Sequence, residues 1–159
     1  MTKDISVWRI AADAPAYTAD DRSGKGAELT GGRWNEKGVP LLYTSDSRAL
    51  ACLETLVHLN SSGLPLNRYL VECLISADAW AAREIFDANE NVGWDAEPPG
   101  KVSIDWGTRW ARDKRSLVAE VPSVVVPEEA NLLLNPLHPD AAKVQTVKRR
   151  KWTYDARLV

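Results

Sequence analysis

The sequence predicts an α+β fold in a single domain that spans residues 1–159. A chain of 159 residues has the length of one domain and can bury a core of its own. The 45% of hydrophobic and 26% of charged residues are typical of globular proteins and exclude global disorder. Segments with strand patterns outnumber helical ones, and the two kinds do not alternate regularly, which favours α+β over a doubly wound sheet.

The first half of the chain predicts two strands and one amphipathic helix. Residues 5–11 alternate between apolar and polar side chains, and residues 41–44 follow a Gly-x-Pro turn, so both read as strands. A polar, glycine-rich loop over residues 12–32 separates them. Ser45 or Asp46 can cap the helix that follows. Its apolar face, at helical spacing, consists of Ala49, Leu50, Leu53, Leu56 and Val57.

The second half predicts further strands, with one weaker helix between them. Two tryptophans one turn apart mark the helix, and an irregular proline-containing stretch precedes it. In order, we predict a strand at 68–76, irregular chain at 80–100, a helix at 103–114, and strands at 117–126, 131–134 and 152–159.

Composition argues against several classes of function. The net charge of −2 disfavours an electrostatic nucleic-acid binder, and no apolar run reaches the roughly 20 residues that span a bilayer. The N-terminus has no signal-peptide pattern, so we expect a cytoplasmic protein. The cysteines and histidines do not have the spacing of a disulfide framework or a zinc site, and we expect no bound metal. These residues are Cys52, Cys73, His58 and His138.

A short series of polar residues is the best candidate for chemistry. Arg33 follows two glycines, which let backbone approach a ligand, and its planar guanidinium can bind phosphate through two hydrogen bonds. Tyr43 lies in the second predicted strand. Glu54 lies at the edge of the apolar helix face, either paired with a basic side chain or held at the mouth of a pocket.

Together with the C-terminal half, these residues resemble a known family, the RES domain, which is named for an Arg, a Glu and a Ser. Residues 121–127 (Val-Pro-Ser-Val-Val-Val-Pro) and 131–139 (Asn-Leu-Leu-Leu-Asn-Pro-Leu-His-Pro) are similar to its signature. Gly-Arg-Trp-Asn at 32–35, with Tyr43 and Glu54, is similar to its N-terminal half. The resemblance extends over roughly residues 7–140.

This resemblance implies a fold and a set of partners. It implies a core like that of ADP-ribosyltransferases, with two small packed β-sheets and flanking helices. It implies a bacterial toxin that consumes NAD⁺ as its substrate and needs no cofactor. The implied partner is an Xre-like helix-turn-helix antitoxin, through which alone the toxin would contact DNA, and a homodimer within the larger complex is expected.

The resemblance also assigns site residues. The family's catalytic Arg, Tyr and Glu fall on Arg33, Tyr43 and Glu54, and its Ser on Ser123, with Ser116 as the alternative. Arg33 would hold the pyrophosphate, Tyr43 would pack on the nicotinamide or its ribose, and Ser123 would bind that ribose or the carboxamide. The expected NAD⁺-binding residues are Gly32, Arg33, Trp34, Asn35, Tyr43 and Asn135.

The chemistry of NAD⁺ cleavage agrees with a single carboxylate. Nicotinamide leaves as a neutral molecule and needs no acid, whereas most glycosidases need a carboxylate pair. Hydrolysis or phosphorolysis of NAD⁺ is the first hypothesis, ADP-ribosylation of a protein is the second, and a non-enzymatic binding module is the third. Many transferases carry an acidic residue or glutamine two positions before the catalytic Glu; Cys52 stands there and favours the first hypothesis.

Overall fold

The computed structural model describes residues 3–59 and 63–158, and it confirms the α+β class. Four α-helices and seven strands are assigned within these ranges. In chain order they are β1 (Ile5–Ala11), α1 (Lys25–Thr30), β2 (Leu42–Ser45), α2 (Arg48–Leu56), β3 (Tyr69–Ile75), α3 (Ala77–Ala81), β4 (Glu84–Ile85), α4 (Lys101–Arg112), β5 (Val118–Pro122), β6 (Ala130–Leu134) and β7 (Gln145–Lys151).

The strands form one seven-stranded sheet in the order β4-β5-β6-β2-β1-β3-β7. Only β4 and β5 run parallel among the described strands. The two small packed β-sheets that the resemblance implied are therefore joined into one sheet. The halves β4-β5-β6-β2 and β1-β3-β7 are joined through β2 and β1, where Trp8 lies opposite Ser45. Apolar side chains of both halves also pack in one core. The two expected layers are therefore halves of a continuous sheet.

Three apolar clusters hold the sheet and its helices together. Val71 and Cys73 of one half meet Leu132 and Leu134 of the other in the cluster between the halves. The outer face of β5 and β6 packs on α4 and a group of aromatic rings. The outer face of β1 and β3 packs on α2. The sheet is thus covered on both outer faces, and its two halves diverge beside Ser45.

The structure corrects several sequence-based boundaries. Ser47, and not Ser45 or Asp46, caps α2 by accepting a hydrogen bond from the backbone N–H of Leu50. Residues 25–30 of the predicted loop form α1, and the predicted irregular stretch contains β4. The last strand is β7 and not residues 152–159. Hydropathy gave no sign of β7, because this edge strand pairs through its backbone and carries mostly exposed polar side chains. None of the helices in residues 3–59 and 63–158 has the length and apolar character that a membrane crossing requires.

Candidate functional site

The carboxylate end of the candidate site is built around Glu54. Ser123 Oγ donates a hydrogen bond of 2.6 Å to Glu54 Oε1, and Asn131 Nδ2 donates one of 2.9 Å to the same oxygen. Ser45 Oγ donates to Asn131 Oδ1 at 2.7 Å. We use the name carboxylate end for these four residues.

The ends of three strands and one helix bring these residues together. Ser123 directly follows β5, and its backbone N–H bonds the carbonyl of Glu129 near the start of β6. Asn131 lies opposite Ser45 in the pairing of β6 with β2, so the two side chains project from neighbouring strands on one face. Helix α2 covers the other half of the sheet and places Glu54 beside these strand ends.

The surroundings of Glu54 are neutral. Within residues 3–59 and 63–158, no lysine or arginine forms a salt bridge with Glu54. Both hydrogen bonds to the carboxylate come from uncharged donors and go to Oε1. The first of the two readings of this glutamate, pairing with a basic side chain, does not apply to the described residues. Among the described residues, none donates a hydrogen bond to Oε2.

Ser123 is the serine of the site, and Ser116 lies elsewhere. Ser123 is fully buried, and its oxygen accepts the backbone N–H groups of Val125 and Val126 while its hydrogen goes to Glu54. The single hydroxyl hydrogen goes to Glu54 in this structure, and the expected contact of Ser123 with the ribose or carboxamide stays a prediction. Ser116 lies just before the start of β5, whereas Ser123 follows its end. The Ser116 hydroxyl accepts a hydrogen bond from Trp110 Nε1 and donates one to the carbonyl of Val118.

The arginine end of the site comprises Arg33, Tyr43 and the residues that bind them. Arg33 Nη1 donates to the carbonyls of Trp94 and Ala96 at 3.1 and 2.7 Å. Its Nη2 forms a 2.7 Å salt bridge with Glu97. The Arg33 side chain is 14% exposed whereas that of Glu97 is 74% exposed, so a largely buried cation is held by a carboxylate that reaches in from solvent.

Tyr43 ties the turn that carries Arg33 to the sheet. Its hydroxyl donates to Asn35 Oδ1 at 2.5 Å and accepts the backbone N–H of Trp34 at 3.0 Å. Burial raises the pKa of the Tyr43 hydroxyl well above its ordinary value, so the group stays protonated and can donate. Gly32 is required here for space, since a Cβ at that position would lie 2.7 Å from the Tyr43 oxygen.

The two ends share strand β2. Tyr43 and Ser45 are two residues apart on this strand, so their side chains project from the same face about 7 Å apart. Tyr43 belongs to the arginine end and Ser45 to the carboxylate end. Strand β2 therefore carries one residue of each end of the site.

Three predicted NAD⁺-binding residues are buried in the fold instead. Trp34 is 3% exposed and packs among Phe86, Trp94 and Trp106. The Asn35 amide nitrogen donates to the carbonyls of residues 27, 36 and 39. Asn135 is fully buried at the opposite end of β6 from Asn131, and its amide bonds the backbone of residues 111 and 137. In this structure their side chains are buried and contact the chain itself.

Sequence reasoning missed Asn131 and Ser45. Asn131 read as the first residue of a predicted strand, and Ser45 read as a candidate helix cap. The available signal is a polar side chain at one end of a predicted strand in each case. Their meaning depends on the register of β2 with β6, which no sequence pattern gives. The described residues contain no cluster of three or more His, Cys, Asp or Glu side chains suited to a metal.

The class of protein is thus an α+β chain with one seven-stranded sheet, a glutamate held by two neutral donors, and an arginine held by two carbonyls and a glutamate. The family follows from comparison with known proteins, since the model of the RES domain matches residues 6–157. This chain belongs to the RES domain family.

Three relatives are similar along nearly their whole length. The "Prs ADP-ribosylating toxin" of Sphingobium sp. (strain YBL2) is 59% identical over 155 residues, which cover 97% of this chain and 96% of the relative. "Toxin Res" of Yersinia enterocolitica is 37% identical over 143 residues, covering 89% and 93% of the two chains. "Toxin Res" of Pseudomonas putida is 34% identical over 156 residues, covering 96% and 98%.

Proposed function

We propose that this protein is a toxin that cleaves NAD⁺ at the nicotinamide–ribose bond and transfers the ADP-ribose to a protein. Membership of the RES family and three relatives named as toxins support the toxin role. The observation that carries the chemistry is Glu54, whose Oε1 is fixed by Ser123 and Asn131 while Oε2 accepts no hydrogen bond from the described residues.

In this proposal Glu54 stabilises charge and does not transfer a proton to the leaving group. Nicotinamide leaves NAD⁺ as a neutral molecule, so the bond can break without a general acid. The ribose develops oxocarbenium character, and a nearby preorganised carboxylate stabilises positive charge where it forms. Glu54 Oε2 would accept a hydrogen bond from a hydroxyl of the nicotinamide ribose, which orients the sugar and holds the negative charge beside it.

Arg33 binds the pyrophosphate in the same proposal. Two backbone carbonyls hold one edge of its guanidinium, and the remaining donors can turn towards an anion. The pyrophosphate would displace the exposed carboxylate of Glu97, since both are anions that seek the same donor. Tyr43 acts through its hydroxyl on the turn at 32–35 and positions Arg33.

The acceptor of the ADP-ribose distinguishes transfer from hydrolysis. The relative named as a Prs ADP-ribosylating toxin is 59% identical to this chain, which favours a protein acceptor. The position of Cys52 had favoured hydrolysis, but that inference does not fit this geometry. Residues two apart on a helix point about 200° apart, and Cys52 packs in the apolar cluster under α2. An acidic residue there would not face the site.

Mass spectrometry of the products tests the proposal. The purified chain is incubated with NAD⁺ and purified Prs, with and without phosphate, beside Glu54→Gln. We expect free nicotinamide and a Prs mass increased by one ADP-ribose, neither of which the variant yields. Free ADP-ribose with unmodified Prs would mean hydrolysis, and ADP-ribose-1″-phosphate would mean phosphorolysis. Absence of nicotinamide from the wild-type reaction would contradict NAD⁺ cleavage altogether.

A further inference from the structure

A hydroxyl, an amide and a carboxylate form a continuous hydrogen-bonded series across the site. Ser45 Oγ donates to Asn131 Oδ1 at 2.7 Å, and Asn131 Nδ2 donates to Glu54 Oε1 at 2.9 Å. Ser45 is 3% exposed and lies where the two halves of the sheet join, paired with Trp8 on one side and Asn131 on the other. Its backbone is thus held from both sides.

We propose that Ser45 and Asn131 are positioning residues for Glu54, and that Ser45 acts by fixing which end of the Asn131 amide faces the carboxylate. This inference rests on the proposed function in that Glu54 is taken as the group that meets the ribose. Neither residue touches substrate in this account. Their effect reaches the reaction only through Glu54.

The two ends of an amide have opposite hydrogen-bonding properties. The nitrogen of Asn131 can only donate, and its oxygen can only accept. A carboxylate accepts, so a reversed amide would set two acceptors against each other beside Glu54. Because Ser45 donates to the oxygen, it favours the orientation that presents the nitrogen to Glu54. Removal of the hydroxyl removes this preference without altering any atom that touches Glu54.

Asn131 and Ser123 restrain the same oxygen from different directions. The donor of Ser123 comes from a turn after β5, whereas that of Asn131 comes from β6. Two donors on Oε1 restrict rotation of the carboxylate about its own axis and keep Oε2 facing outward. With Ser123 alone, the carboxylate could rotate about a single hydrogen bond, so the position of Oε2 would be less well defined.

Strand β2 supplies a matched control at the neighbouring residue. Thr44 is buried like Ser45, and its hydroxyl donates to the carbonyl of Leu132 at 2.8 Å. Thr44→Val removes one buried hydroxyl and leaves the Ser45, Asn131 and Glu54 contacts in place. Ser45→Ala removes another hydroxyl from the same strand. A role in stability alone predicts that the two variants behave alike.

Kinetics of nicotinamide release separate the two roles. Ser45→Ala should lower kcat about three- to tenfold with KM unchanged, in keeping with the loss of one hydrogen bond. Thr44→Val should lower Tm by a similar amount and keep kcat within about twofold of wild type. Equal kcat for Ser45→Ala and wild type would overturn the inference, as would equal losses of kcat in the two variants.

Asn131→Asp gives a readout that a purely structural role would not change. It places a second carboxylate beside Glu54, and two carboxylates so close together share a proton. That proton is lost only at higher pH, so the acidic limb of kcat against pH should move upward by about one unit or more. A pH profile identical to that of the wild type would contradict a direct Asn131–Glu54 contact.

A spectroscopic measurement tests the geometry independently of activity. In the ¹⁵N-labelled protein, the side-chain amide protons of Asn131 should shift in both Glu54→Gln and Ser45→Ala, and should not shift in Thr44→Val. An unchanged Asn131 amide in Ser45→Ala would overturn the inference even if the protein does not cleave NAD⁺. An inactive wild type with these shifts present would contradict the proposed function and leave the positioning contacts established.

Discussion

The carboxylate end and the arginine end of the site hold their charged groups in opposite ways. Glu54 is bound by neutral donors that come from the ends of β5 and β6, and its other oxygen accepts no hydrogen bond from the described residues. Arg33 is bound by two carbonyls and by Glu97, all from the irregular stretch between β4 and α4. In the proposed function, the first arrangement holds a charge in place for catalysis, and in the second the pyrophosphate replaces Glu97 as the partner of Arg33.

This difference predicts how substitutions divide between the kinetic constants. Groups at the carboxylate end are already arranged before substrate binds, so their loss should lower kcat. Groups at the arginine end change partners when substrate binds, so their loss should change KM. A substitution at the carboxylate end that changes only KM, or one at the arginine end that changes only kcat, would contradict this difference.

The largest effect is expected from Glu54→Gln. Glutamine keeps the size of the side chain but removes the negative charge, and the loss of one preorganised electrostatic group costs about 3 kcal/mol in the transition state. We expect kcat for nicotinamide release to fall at least about 100-fold while Tm stays close to that of the wild type. Near-normal turnover by the folded variant would remove Glu54 from the mechanism.

Ser123→Ala should have the next largest effect, and Ser116→Ala is its matched control. Each variant removes a buried serine hydroxyl with several hydrogen bonds, so both should lower Tm. Only Ser123 touches Glu54. We expect Ser123→Ala to lower kcat roughly tenfold, since a hydrogen bond to a charged group is lost, and Ser116→Ala to leave kcat nearly unchanged. A tenfold loss of kcat in Ser116→Ala, with kcat retained in Ser123→Ala, would assign the catalytic role to Ser116.

Arg33→Lys should raise the KM for NAD⁺ about five- to tenfold with a smaller change in kcat, because lysine lacks the planar fork of donors. The KM for nicotinamide mononucleotide, which has a single phosphate, should rise less in this variant than the KM for NAD⁺. If KM stays constant and only Tm falls, Arg33 is an anchor for the 94–97 segment and the phosphates bind elsewhere.

Glu97→Gln should have the smallest effect, and it should lower the KM for NAD⁺ where Arg33→Lys raises it. Removal of the competing carboxylate should lower the KM for NAD⁺ about threefold, and the gain should shrink as salt screens the charges. Glu84→Gln is the control, because Glu84, which lies on β4, forms a salt bridge of similar length with Arg115 away from Arg33. A raised KM in Glu97→Gln would mean that Glu97 helps to orient Arg33 for substrate and does not compete with it.

The strands whose apolar side chains are buried could be predicted from the sequence. Apolar alternation located β1, short apolar segments located β3 and β6, and the order of Arg33, Tyr43 and Glu54 contributed to the RES resemblance. Strand β7 was not predicted, because an exposed edge strand has little hydrophobic pattern in its sequence.

Contacts that depend on register or on packing of distant segments could not be predicted. Ser45 and Asn131 meet only because β2 pairs with β6 in one register. Trp34 and Asn35 were taken as ligand contacts for their nearness to Arg33, but the fold uses them to bury the turn. Glu97 reaches Arg33 across 64 positions of sequence, a contact that only the three-dimensional structure reveals.

The central claim is that Glu54 Oε2 meets the nicotinamide ribose while Oε1 stays bound to Ser123 and Asn131. A crystal structure of the wild-type protein with carba-NAD⁺, whose nicotinamide linkage does not ionise, tests it most directly. We predict a ribose hydroxyl at about 2.6–3.2 Å from Oε2, with both contacts to Oε1 retained. A ribose bound away from Glu54, or a carboxylate released from both donors, would contradict the account.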